Sequence, residues 1–435
     1  MKLTKKEMLL ISFMLFSLFF GAGNLIFPPF LGQNAADHTV IAFLGFLITA
    51  VLLPVLGVIV VAKFDGLNNL ASRVNANFAI IFTIIVYLAI GPGLGIPRAA
   101  SVPFEMAISP YLPEGFSFGV SILVYSAIFF TVACWLALTP RKLVSRIGKF
   151  LTPSLLILLV FLFINFALNG QKAVGEALPV YVNSGLAQGF IDGYQTMDTI
   201  AALNFGLVIA ITLRGFKLTE KKDIMKYTIR AGLAAGTILS LVYMMLAFIG
   251  MQTAGVAGAQ ANGALILRFV VYELFGNGGA ILLALIFTLA CLTTCVGLIN
   301  SISQFFTTIF RGLNYRQWVF VIVISSFLIC NLGLNTILSI SLPVLNMVYP
   351  VSIVLIILGL FDKYLKNNRY IYPLVIFTVA ITSIVYALYA LKVPMGPVYA
   401  IFNVLPFFEV GMGWTSVALV SIIISVVLNK LGKKA

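Results

Sequence analysis

Few residues in this 435-residue chain are equipped for chemistry, and most of them sit in apolar surroundings. The run Gly21-Ala22-Gly23-Asn24 sets a carboxamide among residues without bulk and is followed by Pro28 and Pro29. In a helix interior Gly costs about 1 kcal/mol and Pro about 3. The run therefore predicts backbone opened inside an apolar segment, with bare N–H and C=O groups left for a ligand. The alternative for Gly21 and Gly23 is close helix packing, and a proline alone only kinks a helix.

Asp198, in DGYQTMDTIAALNFG (Asp192 to Gly206), is the carboxylate set deepest in an apolar run. A carboxylate in such a place is costly and usually functional. It could hold an ammonium, help bind a cation or cycle a proton; otherwise it caps a half-helix. Thr293 and Thr294, in LACLTTCVGLINS (Leu289 to Ser301), offer adjacent hydroxyl oxygens of the kind a dehydrated hard cation takes. Threonines in apolar helices also commonly bond their own backbone. Tyr87, ahead of GPGLGIP (Gly91 to Pro97), either donates to an anionic group or anchors at a membrane interface.

Other chemistries lack their residues. The single histidine, His38, falls in a loop, and there is no H-E-x-x-H, P-loop, nucleophile elbow or Cys/His cluster. An enzyme is not indicated. Cys134, Cys291, Cys295 and Cys330 all lie inside apolar runs, so no structural disulfide is expected.

The elements that must position these groups are membrane helices. Hydrophobic residues make up 61% of the chain and charged residues 9%, against about 25% charged in soluble domains. Apolar runs long enough for a hydrocarbon core about 30 Å thick recur near 8–31, 39–62, 78–96, 118–138, 151–168 and 191–213. They continue near 231–250, 279–304, 317–331, 335–360, 370–391 and 411–429. In lipid such runs must be helical, which predicts an all-α polytopic protein of about twelve spans. The first run is too long for a signal-peptide core and has no convincing cleavage site, so it is expected to be retained.

The net charge of +14 invites a nucleic-acid reading, but its placement answers that. Twenty-three of the 27 basic residues fall in every second loop or at the ends: Lys2, Lys5 and Lys6; Lys63 and Arg73; Arg141, Lys142, Arg146 and Lys149; Arg214, Lys217, Lys221, Lys222, Lys226 and Arg230; Arg311 and Arg316; Lys363, Lys366 and Arg369; Lys430, Lys433 and Lys434. The intervening loops hold Arg98, Lys172, Arg268 and Lys392. This alternation predicts an even number of crossings with both termini cytoplasmic. The basic balance thus reports topology and contact with membrane lipid, with no nucleic-acid partner. The longest outer connections are 97–117, 169–190 and 251–278, the last with helical spacing of its own.

No linker divides the chain, so a single transport domain over 1–435 is expected. The two interrupted runs are spans 1 and 6, each the first of a set of five, over 8–168 and 191–360, with two accessory helices in 361–435. Interrupted spans at corresponding places in two halves point to a transporter binding site.

GAGNLIFPP in span 1, GYQTMDT in span 6, the entry AQGFIDGY (Ala187 to Tyr194) and the NGA…L block (Asn262 to Leu265) resemble the branched-chain amino acid:cation symporter family over essentially the whole chain. The resemblance implies the five-plus-five inverted-repeat (LeuT-like) fold, with helices 1 and 6 unwound around substrate and sodium. It implies a bacterial cytoplasmic-membrane carrier for leucine, isoleucine and valine, with no cofactor and with Na+, or in a rival reading H+, as the coupling ion. Asn24 would be a side-chain sodium ligand, with the carbonyls of Ser17, Phe19 and Phe20. A second sodium would lie against the Ala290 carbonyl and the hydroxyls of Thr293 and Thr294. The pattern departs at Cys295 and just after Asn24.

On the same footing Tyr87 would contact the substrate carboxylate together with free backbone N–H groups of Gly21, Ala22 and Gly23. Asp198 and span 6 carbonyls would take the ammonium, and Phe20, Tyr87 and Phe205 would line the side-chain pocket. No Arg or Lys is expected in that region, which argues against an anionic substrate. The distant rival is a membrane-embedded enzyme.

Overall fold

A computed structural model describes residues 3–113, 115–139, 144–310, 312–365 and 367–431, without the side chains of 144–146 and 342. Of the basic residues above, Lys2, Arg141, Lys142, Arg311, Lys366, Lys433 and Lys434, and the Arg146 side chain, lie outside that set. Every regular element among the described residues is helical.

Helix α1 (Lys5–Phe19) opens on a capping box in which Thr4 and Glu7 satisfy each other's backbone N–H. It stops at Phe20, and α2 (Ala22–Ala35) restarts after one extended glycine. The next span is α3 (Thr39–Leu47), running through a wide turn at Ile48–Leu52 into α4 (Leu53–Lys63). Short α5 (Leu67–Ala71) leads to α6 (Ala76–Leu88), whose span is interrupted at Ala89–Gly93 and resumes as α7 (Gly95–Ala107). Then follow α8 (Phe118–Ala137), α9 (Thr152–Asn169), α10 (Pro179–Asp192) and α11 (Asp198–Gly215). The chain continues with α12 (Lys221–Thr253), α13 (Gly263–Phe275), α14 (Gly279–Ile309), α15 (Tyr315–Cys330) and α16 (Leu334–Leu360). It ends with α17 (Asp362–Leu365), α18 (Ile371–Ala390), α19 (Pro397–Asn403) and α20 (Gly413–Leu431).

Ten described segments are long and apolar enough to cross a membrane, or eleven when the bent pair at 315–341 counts as one. One of the ten, Ala22–Lys63, is 42 residues long. At 1.5 Å per residue it spans roughly 63 Å, twice what a bilayer core needs. Dividing it where α2 meets α3, with α1 completing the first span, gives the twelve of the sequence pattern. The bilayer also accounts for the surface: Ile157, Leu168 and Ile281 are 68%, 76% and 69% exposed, which an aqueous protein would avoid at this density.

Two boundaries differ from expectation in a way that matters. Residues 97–117 are not wholly an outer connection, because α7 carries the third span on to Ala107. Pro97 is the third residue of α7, within the first turn, where its missing N–H breaks no helical bond. The Gly/Pro run therefore marks a restart, not an end. Likewise the sixth span begins at Pro179, inside the expected 169–190 connection. The helical spacing of 251–278 does produce a helix, α13.

The interrupted helices are held by glycine contacts that recur in the two halves. A Cβ at Gly32 would stand 2.0 Å from the Ala247 carbonyl oxygen, and one at Gly250 would stand 1.9 Å from that of Pro29, so α2 and α12 touch backbone to backbone. A Cβ at Gly45 would lie 2.0 Å from the Leu186 oxygen, and one at Gly189 would lie 1.8 Å from that of Ala42, which does the same for α3 and α10. Small residues at helix crossings are the usual way to gain van der Waals contact in lipid. Exchanging spans 1 and 2 with spans 6 and 7 maps one contact onto the other. The helices α18 and α20 pack outside, α18 against α16 and α20 against α18.

Candidate functional site

The two breaks meet. In the first span, Phe20 (φ −73°, ψ 93°) and Gly21 (φ −124°, ψ −155°) are extended. The Asn24 Oδ1 accepts from the Gly21 N–H at 2.9 Å, replacing one lost helical bond with a side chain. The amides of Ala22 and Gly23 find no protein acceptor, as the first turn of a helix predicts. Among the described residues, nothing donates to the carbonyls of Phe19 and Phe20 either. Pro28 and Pro29 do not make this break. They lie inside α2, where their lack of N–H frees the carbonyls of Asn24 and Leu25 instead.

In the sixth span, Gly193–Thr196 tightens to a 3₁₀ turn and Met197 takes left-handed backbone (φ 68°, ψ 8°) before α11 begins. A non-glycine residue there costs of order 1 kcal/mol or more, and surrounding packing must hold it. Gly23 supplies the fit: a Cβ at that position would lie 3.0 Å from the Gln195 oxygen and 3.1 Å from the Thr196 Cα.

Asp198, first residue of α11 and fully buried, joins the two breaks. Its Oδ2 accepts from Asn24 Nδ2 at 2.7 Å and from the Tyr243 hydroxyl at 2.7 Å. Asn24 Nδ2 also donates to the Tyr243 hydroxyl. The carboxylate thus sits at a helix N-terminus, where the macrodipole favours negative charge, and is tied to α2 and α12 together. Tyr243 is not among the residues whose types and spacing mark a site in the sequence. The signal for it is a tyrosine in the apolar stretch of the 33-residue α12, where the hydroxyl needs a partner. Tyr243→Phe is expected to slow solute turnover about tenfold by loosening Asp198, at the size of one charged hydrogen bond. Unchanged turnover in a reconstituted assay would show the hydroxyl to be dispensable.

A second cluster lies across α1 and α14. The hydroxyls of Thr293 and Thr294 both donate to the Ser17 carbonyl at 3.1 Å, and Thr293 also reaches the Ala290 carbonyl at 2.9 Å. Thr293 therefore bonds its own helix and bridges to α1 at once. Ser17 Oγ in turn accepts from Thr152 of α9 at 2.7 Å. The Ser17 and Ala290 carbonyls and the Thr293 and Thr294 hydroxyls, four oxygens from α1 and α14, converge near the end of α1. Thr294 also faces Gly21, whose Cβ would come 3.0 Å from its Oγ1.

Between these clusters lies a small cavity of about 30 Å³, water-sized, lined by Phe19, the Gly21–Asn24 run, Ile90, Gly95, Arg98, Ala99, Thr196–Asp198, Ala201, Thr294 and Leu298. Phe20 and Phe205 are fully buried but do not line it. Phe20 stacks between Phe16 (5.1 Å) and Tyr243 (6.2 Å), and Phe205 meets Phe19 edge-on at 5.5 Å. Tyr87 is not brought to the cavity. Its ring packs on Phe305 at 4.3 Å, eleven residues and roughly 16 Å along α14 from Thr294. Larger grooves at Asn75–Phe82 with Phe377, and at Phe130 with Phe327, carry no charged side chain and lie away from the breaks.

The expectation of a region without basic residues is overturned. Arg98 lines the cavity, 4% exposed, with Nη2 donating to the Gln195 carbonyl at 2.9 Å. The loop expected at Arg98 is instead the first turn of α7, because the Gly/Pro run before it restarts the helix. The four cysteines are buried free thiols. No cluster of three His, Cys, Asp or Glu suited to a metal occurs among the described residues.

The profile of the family described as "Branched-chain amino acid transport protein" matches residues 4–432. The chain belongs to this family. It is 40% identical over 428 residues to the branched-chain amino acid transport system 2 carrier protein of Pseudomonas aeruginosa, covering 98% of this chain and 96% of that one. It is 37% identical to the branched-chain amino acid permease BraB of Bacillus subtilis (98% and 96%) and 35% identical to the permease BrnQ of Escherichia coli K12 (99% and 97%). These relatives are named as carriers and permeases, not as enzymes. The transporter's fold also matches solved structures. One is a nucleobase-cation-symport-1 family transporter in a closed conformation with bromovinylhydantoin bound (TM-score 0.59, 13% identity, 95% and 91% covered). Another is MhsT in complex with L-phenylalanine (TM-score 0.56, 16% identity, 97% and 98% covered). At those identities the match speaks for the LeuT-like fold alone.

Proposed function

We propose that this protein imports leucine, isoleucine and valine across a bacterial cytoplasmic membrane by symport with sodium, with both termini in the cytoplasm. The observation that carries the sodium assignment is the convergence of the Thr293 and Thr294 hydroxyls on the Ser17 carbonyl, beside the Ala290 carbonyl. Oxygen-only ligands from two helices suit a hard monovalent cation, and one helix ends at the break that forms the cavity floor. Asn24 and the free carbonyls of Phe19 and Phe20 are proposed to serve a cation next to the substrate. Asp198 takes the substrate ammonium. Phe19, Ile90, Ala201 and Leu298 give the cavity apolar surface for an aliphatic side chain.

The coupling has the right size. A monovalent charge moving through about 100 mV gains about 2.3 kcal/mol, and a tenfold gradient adds about 1.4. Together they support roughly 500-fold accumulation per ion.

Radiolabelled leucine in proteoliposomes, under an inward sodium gradient or an inward proton gradient, tests the proposal. Accumulation is expected with sodium and not with protons alone. The reverse outcome establishes proton coupling, with Asp198 as the proton site. Asn24→Ala and Thr294→Ala are each expected to raise the sodium concentration for half-maximal uptake about tenfold, with protein still present in the membrane. Unchanged sodium dependence in both variants removes the cation assignment.

A further inference from the structure

We infer that Arg98 is the docking point for the substrate's α-carboxylate, so that substrate is held between two opposite fixed charges. This deepens the transport reading and rests on it. Among the residues lining the cavity, Arg98 and Asp198 are the charged pair, and no ion pair joins them. Each is instead tied to its own side: Asp198 to Asn24 and Tyr243, Arg98 to the Gln195 carbonyl through Nη2. Arg98 Nη1 is buried with no hydrogen-bond partner. A guanidinium presents its donors in a planar fork, and a fork with one free arm beside a cavity is shaped for a carboxylate oxygen.

The neighbouring backbone agrees. The amides of Ala22 and Gly23 are the unpaired first turn of the 14-residue α2, and a Cβ on Gly23 would stand 2.4 Å from Arg98 Nη2. Glycine at 23 therefore lets the guanidinium reach the helix N-terminus, where an anion is already favoured. The Phe27 ring of α2 lies 5.7 Å from the guanidinium carbon, within cation–π reach. A zwitterion entering as this small cavity widens sets its carboxylate at Arg98 and α2 and its ammonium at Asp198, so that each of its charges meets an opposite fixed one. A leucine derivative lacking either charge leaves one buried pole unmatched. The site thereby rejects it.

The test uses the full-length protein in proteoliposomes with labelled leucine, competed by leucinamide (no carboxylate) or 4-methylpentanoate (no ammonium). In the wild type, leucinamide is expected to compete about 10- to 150-fold more weakly than leucine, the range for one charged hydrogen bond. Arg98→Gln is expected to raise the leucine half-saturation constant by a similar factor and erase the discrimination against leucinamide, leaving the sodium half-saturation within about threefold. Arg98→Lys keeps charge without the fork and should recover only part of it. Should these variants fail to reach the membrane, the wild type still decides. Leucine is expected to protect Arg98 from phenylglyoxal, read on its peptide by mass spectrometry, and leucinamide is not. An Arg98→Gln protein with wild-type leucine affinity and discrimination, or a wild type whose Arg98 modification ignores leucine, overturns the inference. Absence of any saturable leucine uptake by the wild type would instead overturn the transport reading beneath it.

Discussion

Asp198→Asn is expected to cut leucine uptake about 100-fold or more, in counterflow as well as in net accumulation. The substitution keeps the size of the side chain but removes the charge to which Asn24 and Tyr243 donate. It also leaves the substrate ammonium without its counter-charge in a site closed to water. Truncating one partner of a buried, hydrogen-bonded charge pair costs about 2–5 kcal/mol, or roughly 30-fold to several thousand-fold in affinity. The two assays separate the possible roles of the carboxylate. An ammonium ligand is needed in every half-cycle, so exchange and accumulation fall together. A carboxylate that only carries a proton is not needed for exchange, so counterflow would survive while gradient-driven accumulation failed. Wild-type kinetics in both assays would make Asp198 a structural cap.

Gly250→Ala is expected to abolish transport from a distance, although Gly250 touches no ligand. Its Cβ would stand 1.9 Å from the Pro29 carbonyl oxygen, which is backbone and cannot rotate away. The helices α2 and α12 must then part by more than 1 Å to reach ordinary contact near 3.5 Å. Overpacking of this kind costs about 1–3 kcal/mol. Because α2 carries Gly21–Asn24 and α12 carries Tyr243, the shift opens the Asn24–Asp198–Tyr243 cluster, and a 1 Å misplacement can cost about 100-fold. Thermal unfolding in detergent should move down by several degrees in the same variant. Gly215→Ala, where an added Cβ meets nothing within 4 Å, serves as the comparison and should transport normally. A Gly250→Ala protein as stable and active as the Gly215→Ala protein would show that this contact is not needed to hold α2.

Some of this molecule was decided by residue order alone. Apolar runs separated by alternating basic loops fix helices, because backbone left unpaired in lipid costs too much for anything else. Local composition likewise locates the two breaks: glycines around Asn24 and a polar stretch before Asp198 are poor helix, and no tertiary contact was required to see that. Even there the prolines misled. Pro28 and Pro29 weaken α2 from inside, while the opening itself falls at Phe20 and Gly21, where Asn24 recaptures the free amide.

What faces the cavity was settled only by the tertiary structure. Tyr87 and Phe205 have suitable side chains in suitable spans, yet Tyr87 packs on Phe305 at another level of the bundle and Phe205 packs on Phe19, outside the cavity lining. Arg98 and Tyr243 reach the centre because α7 continues past a glycine-proline run and because glycines let α12 close on α2. A sequence records where helical hydrogen bonds are costly, since that is a property of neighbours along the chain. Which faces of those helices meet depends on contacts between residues 45 to 277 positions apart, and these exist only once the bundle has packed.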